Sequence, residues 1–203
     1  FGGAILSGDA SPFGAAESSL DVTSSSFVDN TATGGAGGVA GLPGGIAAGG
    51  AISLGNGTDA KLNRNTLRRN SAEGGIGGDD AAGGIATGGG VSAAGGAELS
   101  LERNKFIDNR AARLGLDSIG WTGFAAGPAP ASIVGDTYQG NTALGGIGGG
   151  IYNAGAMTIA RASLSDNRAV GVAEVAIAFV PGYAFQGAAL GGGMSNLGSL
   201  IVD

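Results

Sequence analysis

The chain has no cysteine and no histidine among its 203 residues. Disulfides, thiolate and imidazole metal sites, and nucleophiles activated in a Ser/His or Cys/His arrangement are therefore excluded. The missing cysteines do not assign a compartment, because a fold held by long backbone ladders needs no staples even in an oxidising space. Charged residues make up 13% of the chain, and acids outnumber bases 16 to 10, for a net charge of -6. A nucleic-acid partner, whose phosphates call for a basic face, is not expected. No apolar run is long enough to span a membrane as a helix.

What the chain has in excess is glycine, 45 residues, a level that without periodicity would indicate a low-complexity segment. Here the glycines fall in register. Doublets and triplets recur before an aliphatic residue in Gly2-Gly3-Ala4-Ile5, Gly49-Gly50-Ala51-Ile52, Gly88-Gly89-Gly90-Val91, Gly148-Gly149-Gly150-Ile151 and Gly191-Gly192-Gly193-Met194. A second rule recurs five times: an aliphatic residue, five positions on a bulky apolar residue, three further an Asn, and two beyond that an Ala. It reads Val22, Phe27, Asn30, Ala32; Leu62, Leu67, Asn70, Ala72; Leu101, Phe106, Asn109, Ala111; Ile133, Tyr138, Asn141, Ala143; and Ile159, Leu164, Asn167, Ala169. Such self-similarity means one unit stacked on itself, each burying its apolar face against the next.

Within a unit, apolar residues two apart (Leu20 and Val22, Leu99 and Leu101) have the period of a half-buried strand. The step of five to the next apolar residue requires a bend, and the aliphatic residue after the glycines supplies a third face. Three short strands per rung, paired in parallel with the rungs above and below, predict an all-β fold: a right-handed parallel β-helix of about six rungs with Gly-rich loops, a single domain over residues 1–203. Asn30, Asn70, Asn109, Asn141 and Asn167 are expected at a tight corner with left-handed backbone angles, each amide donating to one neighbouring rung and accepting from the other. The Ala that follows is placed inside the next bend. The residue before each Asn (Asp29, Arg69, Asp108, Gly140, Asp166) and the residue six before it (Ser24, Arg64, Arg103, Gly135, Arg161) read as outward rows. Surplus length between units reads as loop, and two excursions are aromatic: 113–131 with Trp121 and Phe124, and 170–190 with Phe179, Tyr183 and Phe185.

The pairing of a Gly-Gly-Ala-Ile element with a Phe-x-x-Asn element, closest in Gly2 to Ile5 with Phe27 to Asn30 and Gly49 to Ile52 with Leu67 to Asn70, resembles the repeats of the chlamydial polymorphic outer-membrane proteins. It is also similar to the passenger domains of related bacterial autotransporter adhesins. The resemblance covers nearly the whole chain, although Leu or Tyr often replaces Phe and one unit lacks its glycine triplet. It implies a right-handed β-helix displayed on a bacterial surface or secreted, and it implies no ligand.

Chemistry-bearing residues are sparse. Asp79 and Asp80 in a glycine loop could offer oxygens to a calcium ion, but one acidic pair is far from the roughly six to eight ligands calcium takes. The acids Asp21, Glu102 and Asp136 are read as outward-facing, in different columns, and could serve a polysaccharide lyase or glycosidase only if neighbouring rungs brought two together. Gly145-Gly146-Ile147-Gly148-Gly149-Gly150 lacks the Lys-Ser/Thr and helix of a phosphate loop. The row Ser26, Thr66, Lys105, Thr137, Ser163 would suit an ice-binding face but for its lysine. No catalytic, cofactor or metal site is therefore expected; the loop aromatics are expected to fold back over a flank of the solenoid, since apolar loops of that length seldom stay exposed, with contact to a partner as the alternative. The chain opens in a Gly-Gly-Ala-Ile element and stops at Leu200-Ile201-Val202-Asp203, so uncapped ends are expected. They imply a segment of a longer passenger or a subunit that self-associates end to end into filaments. The expectation is an extracellular or cell-surface structural or adhesive solenoid that meets itself or a host or matrix surface. A polysaccharide-binding or polysaccharide-cleaving β-helix is the alternative.

Overall fold

The computed structural model describes residues 2–8, 17–38, 41–79, 83–93, 97–113, 124–126, 131–144, 149–153, 156–170, 192–196 and 199–202. All regular structure among them is β, in four main sheets of six, six, five and five strands in which every pairing is parallel. The second rung shows the plan: strands Ile52–Leu54, Thr58–Asn63, Thr66–Arg68 and Ser71–Gly74 follow one another, each entering a different sheet. The chain is a parallel β-helix.

Each of the first five rungs has four strands where the sequence pattern predicts three, and the sixth contributes two to the described residues. The additional one carries the Ala column: Ala32, Ala72, Ala111, Ala143 and Ala169 lie on short paired strands, not inside a bend. A three-residue strand has a single inward residue, so no alternation betrays it in the sequence. Alanine is required there because this edge of the cross-section is thin. Ala32, Ala72 and Ala111 pack with Ala47 and Ala86 in a small cluster of their own.

The main core is formed by the other three sheets. Val22, Leu62, Leu101, Ile133 and Ile159 stack in register on the longest strands, Ile52, Val91 and Ile151 on the first, and Leu67, Phe106 and Tyr138 on the third. Phe106 and Tyr138 lie face to face with ring centroids 4.7 Å apart. A fully buried aliphatic side chain such as Leu62 contributes roughly 1.5–3 kcal/mol, and stacking repeats that gain in every rung.

The glycine doublets have two separate tasks. Gly49 and Gly88 adopt φ of 64° and 58°, in the left-handed region. The following Gly50 and Gly89 press against the fourth strand of their own rung, where a Cβ on Gly89 would sit 2.6 Å from the Arg110 backbone. Glycines also order part of the surplus chain. Gly45 N–H bonds Gly35 O (2.7 Å), Gly75 N–H bonds Gly45 O (2.9 Å) and Gly84 N–H bonds Gly75 O (2.7 Å), while Ala47–Ala48 pairs with Ala86–Thr87. The aromatic excursion 113–131 likewise contains structure: Phe124–Ala126 is the first-sheet strand of the fourth rung, in register with Val91 and Ile151.

Replacing Gly89 with Ala is expected to lower stability by about 1–3 kcal/mol, the usual cost of overpacking, because backbone and not a pliable side chain occupies the space. Urea unfolding of G89A against wild type measures it, with Gly35→Ala, where a Cβ would meet nothing within 4 Å, as the tolerated control.

Candidate functional site: side-chain ladders and charged edges

Two tight corners flank the third strand of each of the first five rungs. At each, one residue takes a left-handed backbone and the next turns its side chain inward. The left-handed residues are Ser24, Arg64, Arg103, Gly135 and Arg161 at the first corner, and Asp29, Arg69, Asp108, Gly140 and Asp166 at the second, with φ between 51° and 68°. This corrects the expectation that the Asn itself is left-handed: the residue before it makes the turn, which is what frees the Asn side chain to point into the stack. A left-handed non-glycine residue costs roughly 1–2 kcal/mol, so the ladder must offset it.

At the second corner, Asn30 donates from its backbone N and Nδ2 to Asn70 Oδ1 (3.1 and 2.8 Å), Asn70 to Asn109 Oδ1 (3.0 and 2.9 Å), Asn109 to Asn141 Oδ1 (3.0 and 3.1 Å), and Asn141 to Asn167 Oδ1 (3.1 and 2.9 Å). The other Nδ2 hydrogen goes back a rung, from Asn70 to Phe27 O (3.0 Å), Asn109 to Leu67 O (2.9 Å), Asn141 to Phe106 O (3.0 Å) and Asn167 to Tyr138 O (2.8 Å). Asn70, Asn109 and Asn141 are fully buried.

The first corner has a second ladder that sequence reasoning missed. Ser25 N donates to Asn65 Oδ1 (2.8 Å), Asn65 N and Nδ2 to Asn104 Oδ1 (2.9 and 3.0 Å), and Asn104 N to Asp136 Oδ1 (2.7 Å). Its column reads Ser25, Asn65, Asn104, Asp136, Ala162, too mixed to stand out as a repeat. The available signal was local: Asn65 and Asn104 follow Arg64 and Arg103 just as Asn70 and Asn109 follow Arg69 and Asp108.

Asp136 is not the outward acid expected from the sequence; it is 1% exposed, because its corner position is an inward one. Desolvation pushes its carboxyl up to about 7, opposed by the Asn104 donors and reinforced by the Glu102 charge. Its Oδ2 and the Tyr138 Oη are buried without a hydrogen bond. In Asn65 and Asn104 the equivalent atom is Nδ2, which donates to Val22 O and Leu62 O (2.8 Å each). The register gives Asp136 the Leu101 carbonyl in that role. A protonated carboxyl can donate there as an amide does; a carboxylate cannot.

Outside, the left-handed corners form two charged edges. Arg69 Nε and a terminal guanidinium nitrogen grip Asp29 Oδ1 and Oδ2 at 2.7 and 2.6 Å, and this bonding holds the Asp29 carboxyl below its ordinary range. Arg69 makes no such contact with Asp108 on its other side, which acts on it only through space. Arg103 meets Glu102 at 3.1 Å and Arg110 meets Glu73 at 3.2 Å. All three pairs remain open to solvent, the last two partly buried, and contribute roughly 0–1 kcal/mol each.

Asp21 is exposed in register with Lys61, and the stack does not bring it to Glu102. Asp79 is exposed and Asp80 lies outside the described residues; among the described residues no group of three or more His, Cys, Asp or Glu could hold a metal. Trp121, Phe179, Tyr183 and Phe185 also lie outside the described residues, as does the side chain of Phe124. No helix of the described chain is long and apolar enough to cross a membrane. No family model, curated protein or solved structure matches the chain.

Replacing Asn109 with Leu leaves the Asn70 backbone N and Nδ2 without their acceptor inside the stack. At about 1–3 kcal/mol for each stranded buried group, a loss of roughly 3–5 kcal/mol is expected in urea unfolding, and an unchanged midpoint would show that the ladder does not hold the rungs. Asp136 makes stability depend on pH. Below the unfolded value near 3.8 both states are protonated, between there and about 7 only the folded carboxyl keeps its proton, and above 7 the folded state carries a buried charge. Stability conferred by the protonated group is therefore lost as pH rises, by at most about 4 kcal/mol between pH 4 and 8, since each tenfold difference in proton affinity between folded and unfolded chain corresponds to about 1.4 kcal/mol. Asp136→Asn should remove that component and unfold later than wild type at pH 8; equal pH slopes for the two proteins would refute it.

Proposed function

We propose that this chain is an extracellular structural or adhesive element of a bacterial surface with no chemistry of its own. The observation that supports the reading is the contrast between the inside and outside of one corner. The inward column is Asn in five successive rungs, while the outward position two residues before it reads Val28, Arg68, Ile107, Gln139 and Ser165. A fold whose interior is fixed rung by rung and whose exterior is free to vary suits display along a rod. Six rungs at ~4.8 Å each give a stack about 25–30 Å long. Self-association end to end would continue the same ladders, since each Asn donates toward one end and accepts from the other.

The test uses beads coated with the purified chain, presented to epithelial cells and to matrix-coated surfaces, with electron microscopy of the same material. Retention of beads, or fibres repeating at the length of the stack, is the expected result. Turnover on a panel of acidic polysaccharides that Asp21→Asn or Glu102→Gln abolishes would replace this reading with the enzymatic one. Absence of both retention and fibres would overturn it.

A further inference from the structure

The first left-handed corner carries more positive charge than a net charge of -6 would suggest. Arg64 and Arg103 occupy it in adjacent rungs and Arg161 two rungs beyond, all exposed, with their corners tied by Arg64 N to Glu102 O and Arg103 N to Val134 O at 2.9 Å each. Between Arg103 and Arg161 stands Gly135, which offers no side chain and leaves a notch that Arg103 overhangs, its Cγ 3.7 Å from where a Cβ would be. Two residues along, the outward row of the third strand reads Ser26, Thr66, Lys105, Thr137, Ser163 in strict register. The lysine that spoils this row as a uniform hydroxyl face adds a cation beside the arginines. Arg64 and Arg161 make no ion pair among the described residues. Arg103 meets only the half-buried Glu102, which also accepts from Asn63 Nδ2 at 3.0 Å. The remaining acids of the neighbouring sheet are Asp21, in register with Lys61 and three residues or ~10 Å before the corner, and Asp59 and Glu98 at the far ends of their strands, about five residues or ~16 Å away.

We infer that this edge, Arg64, Arg103 and Arg161 with Lys105, Thr66 and Thr137 beside them, binds an acidic polysaccharide running along the solenoid axis. The cations repeat at one and two rungs, ~4.8 and ~9.6 Å, so carboxylate or sulfate groups of an extended polymer can meet successive guanidinium forks, the notch at Gly135 admitting one between Arg103 and Arg161. The adjoining hydroxyls match the alcohols between the charged groups. No aromatic residue stands in either row for a nucleobase to stack on, which separates this surface from a single-stranded nucleic-acid groove.

The inference rests on the adhesive reading and names its partner. Titration calorimetry of the purified chain with dextran sulfate and with polygalacturonate should show binding that weakens as salt rises, and neutral dextran should not bind. Arg103→Ala and Arg161→Ala should each weaken binding by roughly tenfold, the loss of one charged hydrogen-bonding group, at unchanged thermal midpoint. Arg168→Ala, the same charge change on the fourth sheet, should leave it unaltered. An equal loss in R168A, or single-stranded DNA binding as tightly as either polysaccharide, would reduce the surface to general charge attraction and overturn the inference. Absence of binding to both polysaccharides would also overturn it; if the beads still adhere to cells, the adhesive reading survives alone.

Discussion

Everything in this solenoid depends on how it disposes of one backbone N–H at each corner. Before the second corner the chain donates to the rung ahead, Arg69 N to Ile107 O; after it the chain donates to the rung behind, Ser71 N to Asn30 O. The hydrogen-bonding direction reverses, and the Asn70 N–H between them has no backbone carbonyl to meet. Asn109 Oδ1 supplies the acceptor and takes Asn70 Nδ2 as well. The first corner repeats the solution, with Arg64 N bonded ahead, Thr66 N bonded behind and Asn65 N on Asn104 Oδ1. A buried N–H left unpaired costs about 1–3 kcal/mol, so a stack without these amides would carry that cost twice per rung. The Asn column is the side-chain completion of a backbone ladder that geometry interrupts.

That constraint explains what the sequence made legible. The second-corner column is uniform because its need is identical in every rung, and the apolar positions are legible because they share one interior. The fourth strand is hidden because its only inward residue is Ala, a residue with no strand signature of its own. The second ladder is hidden because only its middle rungs display an amide: Ser25 donates its backbone N–H alone, and the side-chain ladder stops at Asp136, since Ala162 has no acceptor to offer. Phe124 was concealed by its surroundings: it lacks the glycine doublet that marks Ile52 and Val91, and only parallel pairing with Val91 and Ile151 assigns it.

The same corners sort the surface. A left-handed residue must point outward, because the next one points inward, so each corner imposes an exposed row whose identity the fold leaves open. One row became basic and the other mainly acidic, with Arg69 the exception, held by Asp29 in a two-pronged contact. Charge on this molecule is therefore organised along the axis although it is few in number, and any partner that reads it must be extended in that direction.

The fourth rung departs from the pattern in several places that belong together. Both of its left-handed positions are glycines, Gly135 and Gly140, where the other complete rungs carry a Ser, Arg or Asp. Each relieves roughly 1–2 kcal/mol of left-handed strain, less the roughly 0.5–1 kcal/mol of extra chain entropy glycine loses on folding. The rung also buries the Asp136 carboxyl and the Tyr138 hydroxyl, with Oδ2 and Oη unbonded, and above pH 7 the charge on Asp136 costs a few kcal/mol. The glycine corners offset part of that cost at best, and the Phe106 ring stacked on Tyr138 at 4.7 Å offsets more. The balance leaves this rung the most pH-sensitive step of the column, and it lies where Gly135 opens the basic edge between Arg103 and Arg161. The backbone that shapes that notch and the carboxyl buried beneath it belong to adjacent residues, Gly135 facing outward at the corner and Asp136 turned into the stack.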